Sequence, residues 1–382
     1  MSQVRSLLLK THGADCAALL LLLAIGATTG CSKPDAGSDG APRLFFANWE
    51  GEIGATTLSD FKRDSGIRVE VETMTENVIL ETKLLTGHSG SDVAVPTSSF
   101  LAPLISSGAL SVLDKTKLPN WHHLDPAVLK RLESVDPGNR YAVPYQWGTY
   151  GIAYDTKAVR AALGREPNDD YELLFDVAVA KRLASCGIAW PDGGGLIMTH
   201  LALLALGRDP STQQSADLRA AEAMLAAVRP YVRYIDSVKY DADLASGDIC
   251  VATGPSGDML RARDSAARKA VPTEVRYFVP RGAAMMWIDV LVIPVNSPHE
   301  ESAHRFINYL MDPAVMAGVT NTTKFANTIR AADPMLDPAL RSDPGFLPPA
   351  EVLDRLQLMP AETQEFVRER TRMWTRVRTR GT

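Results

Sequence analysis

The stretch MMWIDVLVIPV at residues 285–295 decides the architecture expected for this chain. It is apolar and strand-favouring, but it holds an aromatic and a carboxylate two positions apart, Trp287 and Asp289. Residues i and i+2 of a strand point to the same side, which predicts that these side chains stand together, about 6–7 Å apart. A buried ionised carboxylate is costly unless a positive group meets it, and an indole face also attracts cations. The stretch therefore predicts a cation site.

The composition is that of an ordinary soluble globular protein, with 46% hydrophobic and 22% charged residues. The length of 382 residues is sufficient for two domains with buried cores. The net charge is −5 and the basic residues are scattered except at 368–380, so no nucleic-acid partner is expected. Residues 368–380 alternate arginine with apolar side chains, which indicates a solvated amphipathic helix, with a site for an anionic partner as the alternative.

The first thirty residues are predicted to be a secretory signal. Arg5 and Lys10 supply its positive start, and residues 17–27 form an apolar segment. That segment is shorter than the ~20 residues of a transmembrane helix. Residues 28–31, TTGC, resemble the lipobox of bacterial lipoproteins, which implies cleavage and lipid attachment at Cys31. The mature protein is thus expected in the periplasm, anchored to a membrane, with residues 31–42 as a flexible tether.

Two cysteines remain beyond the tether, Cys186 and Cys250. In an oxidising compartment such a pair is expected to form a disulfide, which would stabilise the fold by roughly 4 kcal/mol in the chain-entropy model. Two buried free thiols are the alternative. A zinc site is disfavoured because neither cysteine has a second ligand nearby in the sequence.

Strands and helices alternate along the first part of the chain. The expected strands lie at 44–48, 67–71 and 92–96, and the expected helices between them at 57–65 and 76–85. Such alternation indicates a parallel sheet covered by helices, with ligands beyond the carboxyl ends of the strands. Trp49, Thr97 and Ser99 lie at those ends. A second set of strands and helices over 187–279 predicts a second α/β unit, after which the chain returns to the first.

Motifs of catalysis and metal binding are missing from the sequence. His299 and His304 are five residues apart, which does not place two imidazoles on one helix face as HExxH does. Residues 87–91 and 254–257 miss the spacing of a nucleophile elbow. Residues 193–195, three glycines, are interpreted as a flexible loop because no Lys-Ser/Thr pair follows them. No cofactor and no enzymatic activity are expected.

The chain resembles the periplasmic polyamine-binding proteins of bacterial ABC importers, the putrescine and spermidine branch. The resemblance covers 44–379 and rests on motifs in the family's order: 48–49, 66–67, 91–96, 113–129, 142–145, 185–187, 246–252, Trp287 with Asp289, and 371–377. It implies an α/β fold of two lobes, the type II-like periplasmic-binding-protein fold, with mixed sheets covered by helices and a hinged cleft. Lobe one is expected at 43–147 and 287–322, and lobe two at 148–286 and 323–382.

The resemblance also implies a site between the lobes, where aromatics line the methylenes of a linear amine and carboxylates meet its ammonium ends. The residues predicted to line it are Trp49, Glu50, Glu52, Thr97, Ser99, Asp258, Trp287, Asp289 and Phe325. Taken alone, Trp287 also fits core packing and Asp258 a helix cap. The putrescine branch carries a disulfide that corresponds to Cys186 and Cys250.

Part of this cage departs from the family's pattern. Gly51 and Glu52 stand where the family usually has an acid and an aromatic, and Pro255 stands where it has a tryptophan. Residues 193–197 lack the family's carboxylate, for which Asp192 is the candidate substitute. The expected function is capture of a polyamine, putrescine before spermidine, and its delivery by a monomer to an ABC permease. The alternatives are the same fold tuned to another amine or guanidino ligand, and a periplasmic sensor or accessory binding protein.

Overall fold

The structure is a computed structural model that describes residues 41–269 and 273–380, so the predicted signal, Cys31 and most of the tether lie outside the described residues. Eleven strands of the described chain join in one mixed sheet. They are β1 (Arg43–Trp49), β2 (Arg68–Met74), β3 (Val93–Ala94), β4 (Ala142–Asp155), β5 (Ile188–Trp190), β6 (Tyr234–Ile235), β7 (Val251–Pro255), β8 (Val275–Phe278), β9 (Ala284–Val292), β10 (Ala326–Asn327) and β11 (Leu356–Leu358).

Helices connect these strands. They are α1 (Thr57–Ser65), α2 (Asn77–Leu85), α3 (Leu101–Ser106), α4 (Pro126–Leu132), α5 (Thr156–Leu163), α6 (Glu172–Phe175), α7 (Val177–Leu183), α8 (Leu196–Ala205), α9 (Ser215–Val228), α10 (Tyr240–Ser246), α11 (Ser256–Ala267), α12 (Glu300–Leu310), α13 (Pro313–Thr323), α14 (Pro338–Arg341), α15 (Ala350–Leu353) and α16 (Gln364–Thr379). Within the described ranges, every helix is too short or too polar to cross a membrane.

The first helix confirms its prediction at both ends. Gly66 follows α1 with a φ of 74°, and its N–H donates to the carbonyl of Lys62 over 2.9 Å. Glycine adopts this left-handed conformation at little cost, which is why the helix stops there. The predicted helix at the basic C-terminus is confirmed as α16, which buries Met373, Trp374 and Val377 along one face.

Two long antiparallel strands, β4 and β9, lie at the centre of the sheet. The strand order is β2-β1-β3-β9-β4-β7-β5-β6, so these two strands join the parallel strands near the N-terminus to those of the second α/β unit. Every residue of β9 is buried. The predicted apolar strand is therefore confirmed, and it runs from Ala284 to Val292.

Two hydrophobic clusters lie on this sheet. In the first, Phe306 meets the rings of Phe46 and Phe61 edge-on at 5.0 and 4.9 Å. In the second, Trp190 and Trp374 stack with their ring centroids 6.5 Å apart. The first cluster contains residues of both α/β units, Phe46 and Met259 among them, whereas the second lies mainly on the second unit.

The predicted disulfide between Cys186 and Cys250 is present, with its Cα atoms 5.4 Å apart. Cys186 lies just before β5 and Cys250 just before β7, and these two strands are paired in parallel. The bond therefore ties together the starts of two neighbouring strands, and the alternative of two free thiols is wrong.

Candidate functional site

The central strand pair positions the tryptophan and the aspartate of the opening stretch. On β4, Gly148 lies opposite Trp287 and Gln146 lies opposite Asp289. A Cβ atom on Gly148 would stand 2.7 Å from Cζ2 of Trp287, so the indole lies against the bare backbone of β4. Trp287 is 4% exposed and Asp289 3%, which makes this a buried carboxylate beside a buried indole.

Asp289 is held by a hydroxyl and not by a cation. The Oγ1 of Thr97 donates to its Oδ1 over 2.6 Å, and Nδ2 of Asn77 donates to that same Thr97 hydroxyl over 2.9 Å. Asp289 forms no ion pair with any of the described residues. Burial raises the pKa of Asp289 to about 7, opposed by the hydrogen bond from Thr97. The site therefore contains an acid without a resident counter-ion.

Glu52 adds a second carboxylate to the same site. It lies in the turn after β1, where its carbonyl accepts hydrogen bonds from Asn48 Nδ2 at 2.9 Å and the Tyr145 hydroxyl at 3.2 Å. Its Oε2 is buried and has no hydrogen-bond partner. Burial, followed by the negative charges of Asp289 and Asp258, raises the pKa of Glu52 well above its ordinary value. This dependence places the three carboxylates in one electrostatic environment.

Asp258 differs from the other two carboxylates because it has partners. It lies in the first turn of α11, where its Oδ2 accepts a hydrogen bond from the Tyr240 hydroxyl over 2.7 Å. Its Oδ1 forms an ion pair with Arg261, one helical turn further on. Burial raises the pKa of Asp258, and the charge of Arg261 opposes that rise. The side chain does not cap the helix, so that alternative is wrong.

Two aromatic rings, those of Phe325 and Trp287, lie between the ion pair of Asp258 with Arg261 and the part of β9 that carries Asp289. Phe325 meets Trp287 edge-on, with ring centroids 4.9 Å apart, and the guanidinium of Arg261 lies over the Phe325 ring at 5.4 Å. A Cβ atom on Gly257 would stand 2.5 Å from Phe325, so a glycine is needed for this close contact. Trp287 is thus part of an aromatic wall that continues to the Asp258 ion pair, and its role in binding a ligand stays a prediction.

The remaining predicted residues are Trp49, Glu50 and Ser99, and they differ in burial. Trp49 ends β1, half-buried, and Ser99 is buried in the turn that follows Thr97. Indole nitrogens of Trp49 and Trp287 and the Ser99 hydroxyl are all buried without a hydrogen-bond partner. Such groups are normally paired, so these atoms and Oε2 of Glu52 are candidates for contact with a polar ligand. Glu50 is exposed, and its role stays a prediction.

Three site residues were missed by the sequence reasoning: Tyr150, Tyr240 and Arg261. Burial, and then the charges of all three carboxylates, raise the pKa of the Tyr150 hydroxyl, which shows that this side chain lies near each of them. Arg261 could have been found, because an acid and a base three residues apart on a helix are neighbours. Neither tyrosine had a local signal, since each reaches the site through the pairing of distant elements.

Asp192 does not replace the missing carboxylate of the second lobe. Its Oδ1 accepts a hydrogen bond from the Trp374 indole over 2.7 Å, and its Oδ2 lies 2.9 Å from the guanidinium of Arg378. The neighbouring Gly195 has a φ of 80° and its Cα faces the Trp374 ring. The carboxylate is therefore used to fix α16 against this loop, and that interpretation of Asp192 was wrong.

The site as a whole can bind an organic cation. It offers three carboxylates against one guanidinium, a formal charge of −2 when all are ionised. Aromatic rings beside the carboxylates add favourable cation–π contacts. Within the described ranges, no three His, Cys, Asp or Glu side chains are grouped so that they could hold a metal ion.

The fold and the site define a class of protein: a ligand-binding protein with a buried acidic site at the centre of a mixed sheet. The model of the bacterial extracellular solute-binding proteins matches residues 56–348, most of the chain. The chain belongs to that family.

Its relatives narrow the comparison. The chain is 40% identical over 336 residues to the putrescine-binding periplasmic protein SpuD of Pseudomonas aeruginosa, covering 88% of this chain and 91% of that one. It is 36% identical over 362 residues to a putrescine/agmatine-binding protein of the same species, covering 94% and 98%.

A solved structure confirms the fold class. The spermidine/putrescine ABC transporter substrate-binding protein PotD of Streptococcus pneumoniae matches with a TM-score of 0.75 at 22% identity, covering 90% of this chain and 100% of that one. This likeness bears on the fold alone. The predicted two-lobe periplasmic-binding-protein fold, with a mixed sheet and many helices, is confirmed.

Proposed function

We propose that this protein captures a small polyamine, putrescine first and spermidine second, and delivers it unchanged to an ABC permease. The observation that carries the proposal is Asp289, a buried carboxylate held by the Thr97 hydroxyl and by no ion pair of the described residues. An ammonium group has three donors and would satisfy this acceptor together with the unpaired oxygen of Glu52. Trp287 would flank the methylenes.

The relatives support the same ligand class. Two of them are named for putrescine, and one of these also for agmatine. Binding proteins of this kind hold and release a ligand, so we propose that this chain has no enzymatic activity. The proposed partners are therefore the polyamine, which this protein binds, and the ABC permease, which receives the polyamine from it.

Thermal unfolding with and without putrescine tests the site. A ligand at about 100 times its Kd stabilises the folded state by about 2.7 kcal/mol, which raises the melting temperature of the wild type measurably. Asp289→Asn and Trp287→Ala are expected to abolish this shift. Trp121→Ala is the matched control, because Trp121 is a half-buried indole that faces Lys115 instead of the acidic site. Undiminished shifts in both site variants would contradict the assignment.

A second candidate ligand is a guanidino compound or another amine. The cage has changed at Gly51, Glu52 and Pro255 relative to the family's pattern, and one relative is named for putrescine and agmatine together. Calorimetry with putrescine, spermidine, agmatine and basic amino acids separates the candidates. Heat with agmatine and none with either polyamine would favour the guanidino ligand.

We propose that the chain is exported and lipid-anchored in the periplasm through Cys31. Its relative SpuD is named as a periplasmic protein. Replacing Cys31 by alanine is expected to release the protein from the membrane fraction of cells that express it.

Deletion of the gene is expected to reduce polyamine uptake. Normal uptake with altered signalling would favour the alternative of a sensor or accessory protein. We also propose a monomer, to be tested by light scattering.

We propose lobe one at 43–147 with 287–322 and lobe two at 148–286 with 323–382. The register of the sheet supports these limits, because Trp147 lies opposite Ala326 and Gly148 opposite Trp287. The three crossings would then lie side by side, where small rotations could open and close the cleft. Small-angle scattering with and without ligand tests this, and an unchanged radius of gyration would contradict closure.

A further inference from the structure

Arg261 occupies a position in the site that polyamine capture does not itself explain. Its guanidinium pairs with Asp258, donates to the carbonyl of Thr323, and lies over the ring of Phe325 at 5.4 Å. Phe325 in turn contacts Trp287. The guanidinium is therefore fixed against the same aromatic wall that the ligand would contact.

The fixed cation changes what Asp258 can offer a ligand. One of its oxygens is engaged by Arg261 and the other accepts a hydrogen bond from Tyr240. By contrast, Oε2 of Glu52 is buried without a partner, and Asp289 is bonded by a neutral hydroxyl. An incoming ammonium thus finds two carboxylates without counter-ions and one that is already neutralised.

We propose that Arg261 is a resident counter-cation that sets the preference of the site for ligands with two positive charges over ligands with three. This inference rests on the proposed function. A dication balances Glu52 and Asp289, whereas the third charge of a longer amine has to compete with a guanidinium held by an ion pair, a hydrogen bond and a ring. Like charges brought together in a desolvated site are strongly disfavoured.

Removal of the charge is the direct test. In Arg261→Gln, the ratio of the spermidine Kd to the putrescine Kd, measured by calorimetry, is expected to fall at least about tenfold, because a third carboxylate becomes available. Arg261→Lys keeps the charge and is expected to keep the wild-type ratio. Arg263→Gln is the matched control on the same helix: its side chain is 33% exposed against 35% for Arg261, and it pairs with Asp343.

The double variant Asp258→Asn/Arg261→Gln separates charge from shape. It removes both members of the ion pair, so the formal charge of the site is again that of the wild type, and the ratio is expected to return to the wild-type value. It also leaves no unpaired charge in α11, so it tests the proposal even where Arg261→Gln fails to fold. A double variant that prefers spermidine would overturn the proposal.

The results also separate this inference from the proposed function. If the wild type and Arg261→Gln both bind putrescine with the same ratio of the two constants, the role of Arg261 is overturned and polyamine capture stands. If the wild type binds neither amine, polyamine capture itself is overturned. If the ratio falls in Arg261→Gln but keeps its wild-type value in Arg261→Lys, Arg263→Gln and the double variant, the result supports both the role of Arg261 and polyamine capture.

Discussion

Lowering the pH is expected to weaken the binding of a diamine through Asp289. Burial raises the pKa of this carboxyl to about 7, so in the ligand-free protein it is largely protonated below neutral pH. A protonated carboxyl has no charge to offer an ammonium. Alkylammonium groups resemble lysine, with a pKa of about 10.4, and stay charged throughout. The pH dependence between 5 and 8 therefore reports on the protein.

The magnitude follows from the fraction of Asp289 that is ionised. With a pKa of about 7, about 1% is ionised at pH 5 and about 90% at pH 8. The apparent Kd equals the intrinsic Kd divided by the competent fraction. The Kd for putrescine is thus expected to be roughly 100-fold higher at pH 5 than at pH 8. Glu52, whose pKa is also raised, steepens the dependence.

The raised pKa of Asp289 also makes the free energy of unfolding of the ligand-free protein depend on pH, in a direction that follows from the shift. Its pKa is raised in the folded state from the ordinary 3.8, so the folded protein binds more protons than the unfolded chain between about pH 4 and 7. The contribution of Asp289 to the free energy of unfolding therefore falls as the pH rises through this window. A shift of about three units corresponds to about 4 kcal/mol from Asp289.

Calorimetry at several pH values, each in two buffers of different ionisation enthalpy, measures both the Kd and the protons released. Near pH 6, binding is expected to release about one proton per ligand from Asp289. Urea denaturation of Asp289→Asn provides the control, since the difference in stability between this variant and the wild type is expected to change between pH 4 and 7 by the contribution of Asp289. Equal Kd values at pH 5 and 8, with no proton released, would refute the reasoning.

Two further predictions concern packing and cross-linking. Gly148→Ala places a methyl group 2.7 Å from the Trp287 ring, so it is expected to displace the indole and weaken putrescine binding on the order of tenfold; calorimetry with unchanged affinity would contradict this contact. Replacing both cysteines of the disulfide by serine is expected to lower the free energy of unfolding by about 4 kcal/mol in urea denaturation, because the bond closes a loop with a sequence separation of 64. A loss below about 1 kcal/mol would refute the loop-entropy account.

Local patterns in the sequence determined much of the fold. The helix ending at Gly66, the buried strand β9 and the amphipathic helix α16 follow from short-range periodicity and turn chemistry, which act within a few residues. The pairing of Cys186 with Cys250 followed from a count of the cysteines in a chain predicted to be exported. The order of the motifs along the chain indicated the family. The limits of the two lobes remain proposals.

Only the tertiary structure decided how the acidic site is completed. Thr97 reaches Asp289 across 192 residues of sequence, and no periodicity links two side chains so far apart. The engagement of Asp192 by Trp374 likewise depends on where α16 lies. The sequence by itself determined that a carboxylate stands in a buried strand. The packing of distant elements determined that Asp289 has no counter-ion while Arg261 neutralises Asp258, because charge balance depends on distance in space and not along the chain.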